Sequence, residues 1–245
     1  MYATAKKALL NFLPRKLVMQ SEFLLRWMYS LFYTGSAVKC PVCGGSFSGY
    51  IALPSGDLLC PRCGSLPRHR RLWIVLQSND MLRDGMSLLH FSPSRILRRK
   101  ISRRVGKGYV TTDYDQDAPT DRHYDITDIP LPEGSFELII CFHVLEHIID
   151  DRKAISELYR ISKPGAMVMI QTPFKRGELY EDNTITGPAE RLRYFGQEDH
   201  VRIYSAEGLV KRLKDAGFTV DVKHYDADSR LGLREEIILA CKKTT

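Results

Sequence analysis

The chain of 245 residues lacks any apolar run near the roughly 20 residues that a membrane-spanning helix needs. Charged side chains interrupt every apolar stretch near the N-terminus, and no small-residue cleavage site follows them. Internal repeats and low-complexity segments are also missing from the sequence. We therefore expect neither a membrane span nor a secretory signal, and we exclude a fibrous or disordered protein.

The composition is that of a globular protein, because 44% of the residues are hydrophobic and 27% are charged. The length suits one α/β domain with a small additional module, since single cores stop growing at about 250 to 300 residues. The net charge of +7 favours acidic partners such as nucleic acid or an anionic membrane. It bears on association and not on the fold.

Residues 1–36 predict an N-terminal helical segment. Apolar residues recur at helical spacing after Ser21, a suitable helix cap, and they are Phe23, Leu24, Trp27, Met28, Leu31 and Phe32. The simplest interpretation is a helix that packs on the body of the protein. Because the segment is basic, peripheral contact with a membrane surface is the alternative.

Two Cys-x-x-Cys-Gly segments follow, one at Cys40 and Cys43 and the other at Cys60 and Cys63, with sixteen residues between the inner cysteines. This spacing is typical of a zinc site. Each pair predicts a tight turn that aims two thiolates at one ion, and the glycine after each pair permits left-handed backbone. Four sulfur ligands leave no open position, so we expect a structural Zn²⁺ in a ribbon over residues 37–72. Free thiols or a redox pair are the alternative, although a redox motif needs one such pair and not two.

The two remaining cysteines, Cys141 and Cys241, lie inside apolar runs, where a thiol is usually a small buried hydrophobe. Cysteines used in this way indicate a reducing compartment. We therefore predict a cytoplasmic protein.

From Ser87 onward, short apolar runs alternate with helical stretches, which predicts βαβ units and a mostly parallel sheet. The predicted strands are 86–90, 109–113, 124–126, 136–142 and 166–172, with two closing strands at 219–223 and 236–241. The predicted helices are 151–162 and 206–216. The long connection over 174–204 is rich in arginine and aromatic residues, so we expect a lid or a segment that recognises a substrate.

In a doubly wound sheet, the ligand lies beyond the carboxyl ends of the strands. His90, Ser92 and Ser94 follow the first strand, where a nucleotide-binding protein would have an acidic residue and a glycine-rich turn. Asp113 follows the second strand, close to the offset of about 20 residues at which a carboxylate accepts hydrogen bonds from a ribose. An ordinary aspartate in a turn is the alternative for Asp113.

Three motifs carry a family resemblance: Asp125-Ile-Thr-Asp-Ile-Pro, Leu145-Glu-His, and Ala154-x-x-Glu-Leu-x-Arg-x-x-Lys-Pro-Gly. With them, residues 85–242 resemble class I S-adenosylmethionine-dependent methyltransferases of the type 11 kind. The cysteine pairs and the run Arg-Tyr-Phe-Gly-Gln-Glu-Asp-His-Val-Arg over 193–202 extend the similarity to a bacterial subgroup with a zinc ribbon. The resemblance implies an α/β, Rossmann-like sheet over residues 73–245.

The resemblance also implies roles in binding S-adenosylmethionine. Asp113 would bind the ribose, and Asp125 would accept from the adenine amino group. Tyr114, beside Asp113, is a further candidate for cofactor binding. The backbone of Ile126 would contact the ring, and His143 would line the methionine end. The family pattern of an acidic residue and glycines is replaced here by His90, Ser92 and Ser94. Since S-adenosylmethionine has no phosphates, small serines can substitute for a glycine cradle.

Methyl transfer from a sulfonium is a direct displacement that depends mainly on positioning. A hydroxyl acceptor also needs a base within hydrogen-bond reach, and His147 and His200 are the candidates. Each can instead be a structural histidine.

The leading hypothesis is O-methylation of a small molecule or of a sugar or glycan intermediate. The main alternative is methylation of RNA or another nucleic acid, with the ribbon as a reader. Two basic segments support it: residues 67–71, and a stretch that contains Arg95, Arg98, Arg99, Lys100, Arg103 and Arg104. A third hypothesis, a cofactor-binding homologue without catalysis, rests on the altered loop after the first strand.

Overall fold

A computed structural model describes residues 23–244 of the chain. The described part of the chain divides into two compact units, the first formed by residues 23–81 with Asp226–Arg234 and the second by Leu82–Tyr225 with residues 235–244. The predicted Ser21 cap lies outside the described residues. Within the described part of the chain, no helix is both long and apolar enough to cross a bilayer. The predicted boundaries at residues 36 and 72 stay a prediction.

The first unit contains two small antiparallel ribbons and one long helix. Strands β1 (Val38–Lys39) and β2 (Ser46–Phe47) form the first ribbon, and β3 (Ile51–Ala52) and β4 (Leu58–Leu59) form the second. Helix α1 (Pro67–Ser78) begins at a proline, which suits the first turn because it has no N–H to satisfy. Each ribbon contributes a strand that ends directly before a cysteine pair.

The helix predicted near the N-terminus forms over residues 23–29 and continues as a 3-10 turn, Ser30–Tyr33. The segment contacts the rest of the first unit, since Ser30 is buried and the carbonyl of Tyr33 accepts from the N–H of Ser48 at 2.8 Å. The large apolar side chains of this segment are exposed, namely Leu24, Trp27, Met28, Leu31 and Phe32. The apolar periodicity therefore predicted the helix correctly but not its burial.

Two arginines of the first basic segment belong to the interior of this unit. Arg70 is fully buried, and its guanidinium stacks 4.2 Å from the centre of the Tyr50 ring. It donates to the carbonyls of Ser65 at 2.6 Å and Gly232 at 2.5 Å. Arg71 is also buried and donates to the carbonyl of Asp226. These two arginines therefore stabilise the fold. The prediction that they help the ribbon to bind nucleic acid is wrong.

The second unit is built on a six-stranded sheet with strand order β11-β12-β8-β7-β5-β6. All its pairings are parallel except those of β12, which runs antiparallel to both of its neighbours. The strands are β5 (Leu88–Phe91), β6 (Tyr109–Thr112), β7 (Phe136–Phe142), β8 (Ser162–Gln171), β11 (Phe218–Tyr225) and β12 (Glu236–Lys243). The central strands are buried on both faces, as expected for a parallel sheet covered by helices.

Three helices pack with this sheet: α2 (Arg95–Val105), α3 (Asp151–Ile161) and α5 (Ala206–Asp215). Helix α3 begins where Asp150 accepts from the backbone N–H of Lys153, and α5 begins where Ser205 accepts from that of Gly208. Their apolar faces contribute Ile155, Leu158 and Leu209 to the main core. The predicted α/β class and the predicted strand over 136–142 are confirmed.

The predicted strand over 124–126 is wrong. This region has only isolated bridges, one between Thr112 and Arg122 and another between Asp125 and Asp128. The Asp125 carboxylate accepts from both the backbone N–H and the hydroxyl of Thr127, each at 2.8 Å. Such a local turn competes with a strand for the backbone, and here the turn is what forms.

The insertion over 174–204 contains a ribbon of β9 (Tyr180–Glu181) and β10 (Arg202–Ile203) and the short helix α4 (Pro188–Phe195). A network of charges, buried except for Glu181, fixes its C-terminal part. Arg202 pairs with Glu181 at 3.0 Å, and the carboxylate of Asp151 binds both Arg212 and the Tyr204 hydroxyl. Burial alone would raise the pKa of Glu181, but its hydrogen bonds to Arg212 and Arg202 hold that pKa below its usual range.

Arg202 also binds the turn that follows β7. Its guanidinium donates to three backbone carbonyls of that turn, those of Leu145, Ile148 and Ile149. The next residue back, Val201, donates its N–H to the carbonyl of Glu146 at 2.9 Å. The insertion and the β7 turn are therefore joined by hydrogen bonds that centre on one side chain.

We predict that Arg202→Ala lowers the free energy of unfolding by about 3 to 5 kcal/mol, because it leaves buried carboxylate and carbonyl groups without their partner. Urea denaturation followed by circular dichroism measures the change. Arg152→Ala is the control, since Arg152 is largely exposed and lies 3.8 Å from Asp215. Its loss should stay below about 1 kcal/mol, as for other surface pairs. Equal losses for the two variants would contradict the structural role of Arg202.

Candidate functional site

The two cysteine pairs sit in turns of the same geometry. The N–H of Gly44 bonds to the carbonyl of Cys40 at 2.8 Å, and the N–H of Gly64 bonds to that of Cys60 at 2.9 Å. Both glycines are left-handed, with φ of 74° and 70°, as the sequence predicted. Each turn therefore points two thiols in the same direction.

Two distances between the four sulfur atoms match the edges of a zinc tetrahedron, and all four atoms lie within 4.8 Å of one another. Cys40 and Cys63 lie 3.7 Å apart through their Sγ atoms, and Cys43 and Cys60 lie 3.8 Å apart. A tetrahedron with Zn–S bonds of 2.3 Å has edges of about 3.8 Å. The buried Ser65 hydroxyl lies 3.3 Å from the Cys40 sulfur and 3.2 Å from that of Cys63. These residues can hold a structural Zn²⁺ whose sulfur ligands are supported by a hydroxyl.

The other two cysteines are inert by comparison. Cys141 and Cys241 are fully buried in the main core, and burial raises the pKa of both thiols. They stay protonated at neutral pH and act as small apolar side chains, as predicted.

The candidate cofactor site lies at the carboxyl edge of the sheet, where β5 and its neighbour β7 end. Ser92, just beyond β5, has a φ of 46°, and His143, just beyond β7, has a φ of 54°. Residues other than glycine rarely adopt the left-handed region, although asparagine, aspartate and histidine enter it more readily than serine does, and residues held in this region cluster at ligand sites. The sheet therefore has backbone strain where a doubly wound fold binds its ligand.

The same edge carries buried polar atoms that have no hydrogen-bond partner among the described residues. They are Ser94 Oγ, both carboxylate oxygens of Glu146, Gln171 Oε1 and Thr172 Oγ1. A buried polar atom without a partner costs about 1 to 3 kcal/mol. All four residues follow or end strands of the parallel sheet, so a polar ligand at this edge could satisfy them. This arrangement fits a cofactor with amino, carboxylate and hydroxyl groups.

Two of the residues predicted to bind the cofactor lie at the end of β6. Asp113 is half-buried, and its Oδ1 accepts from the backbone N–H of Asp115 at 3.0 Å. Tyr114 is exposed. An aspartate that fixes its own turn through one oxygen can present the other oxygen to a ligand, so the turn and ribose interpretations of Asp113 are compatible.

The residues predicted to bind adenine differ in their surroundings. The Asp125 side chain is exposed, and its Oδ1 is engaged by Thr127. The Ile126 side chain is buried in the main core, which leaves only its backbone to face a ligand. Their roles stay predictions.

The side chain of His90 belongs to the protein interior. Its ring is buried, its Nδ1 lies 3.0 Å from the Tyr109 hydroxyl, and burial lowers its pKa to about 3. The ring is therefore neutral, and any part that His90 takes in cofactor binding falls to its backbone.

The two candidate bases, although distant in sequence, lie together beyond β7. The ring centres of His147 and His200 are 4.7 Å apart, and the rings are nearly perpendicular at 84°. Glu146 lies beside them and is 1% exposed. One ligand atom from each of the three residues falls within 4.8 Å of the other two. We call Glu146, His147 and His200 the acceptor cluster.

The charges of the acceptor cluster follow from its neighbours. Burial would raise the pKa of Glu146, but His143, whose Nδ1 lies 3.2 Å from Oε1, and His147 hold that pKa below its usual range. Burial, followed by the charge of His147, lowers the pKa of His200. At neutral pH the cluster therefore combines a carboxylate with a neutral imidazole.

Sequence reasoning did not select Glu146, Gln171 or Thr172 as site residues. For Glu146 a signal was present, because a carboxylate between His143 and His147 interrupts an otherwise apolar turn. The orphaned oxygens of Gln171 and Thr172 become visible only once burial is known.

Comparisons with known proteins agree with this geometry. A family model described as a methyltransferase domain matches residues 79–222. A probable S-adenosylmethionine-dependent methyltransferase of Mycolicibacterium smegmatis is 32% identical over 41% of this chain and 35% of its own length. The human tRNA N(3)-cytidine methyltransferase METTL2B is 34% identical over 34% of this chain and 25% of its own length. The chain thus spans about a third or less of these relatives.

A solved structure supports the fold. An S-adenosylmethionine-dependent methyltransferase from Mesorhizobium loti superposes with a TM-score of 0.51 at 13% identity, covering 69% of this chain and 96% of that one. At this identity the likeness concerns the fold alone.

We predict that the cysteine tetrad binds one zinc ion and that Cys60→Ser lowers the zinc content by one equivalent per chain. Elemental analysis measures the loss, and hydrogen exchange should rise over residues 37–72 while cofactor binding persists. Cys241→Ala is the matched control, since it removes a buried thiol outside the tetrad. Unchanged zinc content in Cys60→Ser would refute the site.

Proposed function

The chain belongs to the class I S-adenosylmethionine-dependent methyltransferases, and we propose that it methylates a hydroxyl oxygen of a small molecule or of a sugar or glycan intermediate. The acceptor cluster carries this proposal. A buried carboxylate and two histidines lie together beyond β7, at the edge where this fold binds its cofactor. An oxygen acceptor needs such groups, because a neutral hydroxyl is a weak nucleophile.

S-adenosylmethionine supplies a methyl group activated on a sulfonium, and the protein has to bind, orient and enclose the reactants. We assign the ribose hydroxyls to Asp113 and the adenine to Asp125 and the backbone of Ile126. His143 would line the methionine end, and Ser92 and Ser94 would take the place of a glycine-rich turn. The left-handed backbone at Ser92 and the orphaned hydroxyl of Ser94 support this assignment.

On the acceptor side, we assign His147 and His200 to the hydroxyl that is methylated. The lowered pKa of His200 keeps its imidazole able to accept a proton at neutral pH. The insertion over 174–204 provides His200 and would cover the acceptor. Most of the rate would come from alignment of the hydroxyl with the methyl group, since positioning can contribute roughly 7 to 11 kcal/mol.

We further propose that the zinc of the ribbon is structural and that the protein works in the reducing cytoplasm. Cysteine sulfurs at zinc spacing and two protonated core thiols support both proposals. Peripheral membrane contact through residues 1–36 stays a prediction.

Methylation of RNA is the second candidate, because a relative that matches part of this chain acts on tRNA. The basic residues of α2 add support, whereas Arg70 and Arg71 of the other basic segment are buried and bonded within the fold. Transfer of tritiated methyl from S-adenosylmethionine to fractionated cell extract separates the candidates. Label in the small-molecule or glycan fraction supports O-methylation, whereas label in RNA supports the alternative.

We predict that Asp113→Ala weakens S-adenosylmethionine binding by about 1.5 to 3 kcal/mol for each charged hydrogen bond to the ribose that is lost. Isothermal titration calorimetry measures the change. Asp117→Ala, at an exposed position nearby, is the control and should bind as the wild type does. If Asp113→Ala also kept full affinity, the ribose assignment would be wrong.

We predict that His200→Ala slows methyl transfer by about 10² to 10⁴-fold, the usual contribution of acid–base groups, while cofactor affinity stays unchanged. His147→Ala identifies which histidine contributes more, and His224→Ala, on the exposed face of β11, is the control. If neither His147→Ala nor His200→Ala slowed transfer more than about fivefold, the preference for an oxygen acceptor would have to be withdrawn.

A further inference from the structure

We propose that the acceptor cluster, Glu146, His147 and His200, binds a divalent transition-metal ion at a second metal site, chemically distinct from the cysteine tetrad. The two histidines provide imidazole nitrogens and Glu146 provides a carboxylate oxygen. Two histidines and one carboxylate are a ligand set found in open catalytic sites of zinc and non-haem iron.

The distances favour one shared ion. One ligand atom from each residue lies within 4.8 Å of the other two. Atoms bound to a single ion at about 2.0 to 2.2 Å lie roughly 3 to 4 Å from one another. Small rotations of the three side chains would bring these atoms into one coordination sphere.

Glu146 supplies an independent observation. Its side chain is 1% exposed, and neither carboxylate oxygen has a hydrogen-bond partner among the described residues. His143 Nδ1 lies 3.2 Å from Oε1, and this contact compensates the carboxylate charge only when His143 is protonated. A buried carboxylate is costly unless a cation or hydrogen-bond donors compensate it. A bound metal ion would provide that compensation.

Both histidines have a second partner on the ring, as metal-binding histidines usually do. His147 Nδ1 lies 3.3 Å from the carboxylate of Asp199, and the backbone of Phe195 accepts a hydrogen bond from His200. Such partners fix the tautomer and direct the other ring nitrogen to the metal. Asp199 and Phe195 thus serve as outer partners of the site.

The backbone around the cluster is also fixed. The backbone carbonyl of Glu146 accepts from the N–H of Val201, the residue after His200. Arg202 donates to the backbone carbonyls of Leu145 and Ile148, on either side of the Glu146–His147 pair. The ligands from the β7 turn and from the insertion are therefore held together before any ion binds, which lowers the cost of binding.

The ligand set indicates what the ion would do. Three protein ligands leave open coordination positions, in contrast to the closed set of four sulfurs in the ribbon. An open position on a divalent ion binds an oxygen atom and lowers the pKa of a hydroxyl there. A histidine whose free ring nitrogen binds the ion cannot also accept the hydroxyl proton, so in the metal-bound protein the ion would replace His147 and His200 as the group that activates the hydroxyl. This role of the ion rests on the proposed function, whereas the metal site itself does not.

Cobalt(II) is a suitable probe, added to protein whose tetrad is already loaded with zinc. We expect one Co²⁺ per chain by calorimetry, with visible ligand-field bands and without the charge-transfer band of a thiolate ligand. Glu146→Gln and His200→Ala should each weaken Co²⁺ binding by at least about 100-fold, because each removes a ligand. The control His224→Ala should leave it unchanged.

Asp199→Asn tests the site with a variant that should fold normally. The Asp199 side chain is largely exposed and contributes to the site only through His147. It should weaken Co²⁺ binding about 10- to 100-fold, the usual effect of an outer partner, while cofactor affinity and zinc content persist. A thiolate band, no binding of Co²⁺, or equal affinity in wild type and Glu146→Gln would each overturn the site.

The outcomes also separate this inference from the proposed function. Methyl transfer to a hydroxyl without Co²⁺ or Zn²⁺ binding at the cluster would overturn the metal site and leave the function standing. Metal binding that depends on Glu146 and His200, in a protein that labels only RNA, would support the site and refute the oxygen acceptor.

Discussion

The buried guanidinium of Arg202 is the interaction on which the candidate site depends. It pairs with Glu181, lies 3.9 Å from Asp151, and donates to carbonyls of the turn after β7. Only the planar, multiply donating guanidinium can serve carboxylates and carbonyls at once in this way, and a lysine could not replace it. Because Arg202 joins the insertion to the turn, His200 meets Glu146 and His147. The position of a long surface segment is thus fixed by charge pairing in the interior and not by apolar packing alone.

How far the sequence predicts this molecule depends on whether the information is local. The turn geometry at Cys40 and Cys60 follows from a few neighbouring residues, and the strand Phe136–Phe142 follows from the apolar run over 138–142. The strand expected over 124–126 failed because the Asp125 side chain bonds to its own turn, a choice that hydrophobic pattern does not encode. The meeting of His147 with His200 depends on the path of the whole insertion, which no spacing rule describes.

The sequence also does not show which basic residues lie on the surface and which are buried. Arg70 and Arg71 lie in a basic run that resembles an anion-binding surface, yet both are buried and bound to backbone carbonyls. Their acceptors include the distant segment 226–234, whose carbonyls are visible as partners only in the folded chain. A buried arginine that satisfies carbonyls contributes packing and hydrogen bonds to stability, and it adds little to an electrostatic surface. Of the basic segments, α2 alone keeps the composition that a phosphate backbone attracts.

The features that destabilise this fold are concentrated at the edge of the sheet where ligands bind. Left-handed backbone at Ser92 and His143 and orphaned oxygens at Ser94, Glu146 and Thr172 all follow or end parallel strands. Each feature costs free energy in the protein alone, and a core without function would have no reason to retain them together. A cofactor that accepts from Ser94 or Thr172, or a cation that compensates Glu146, removes the free-energy cost of the unpaired group, and this gain strengthens binding. The same groups therefore explain why the site is strained without its ligands and why their binding should stabilise the sheet edge.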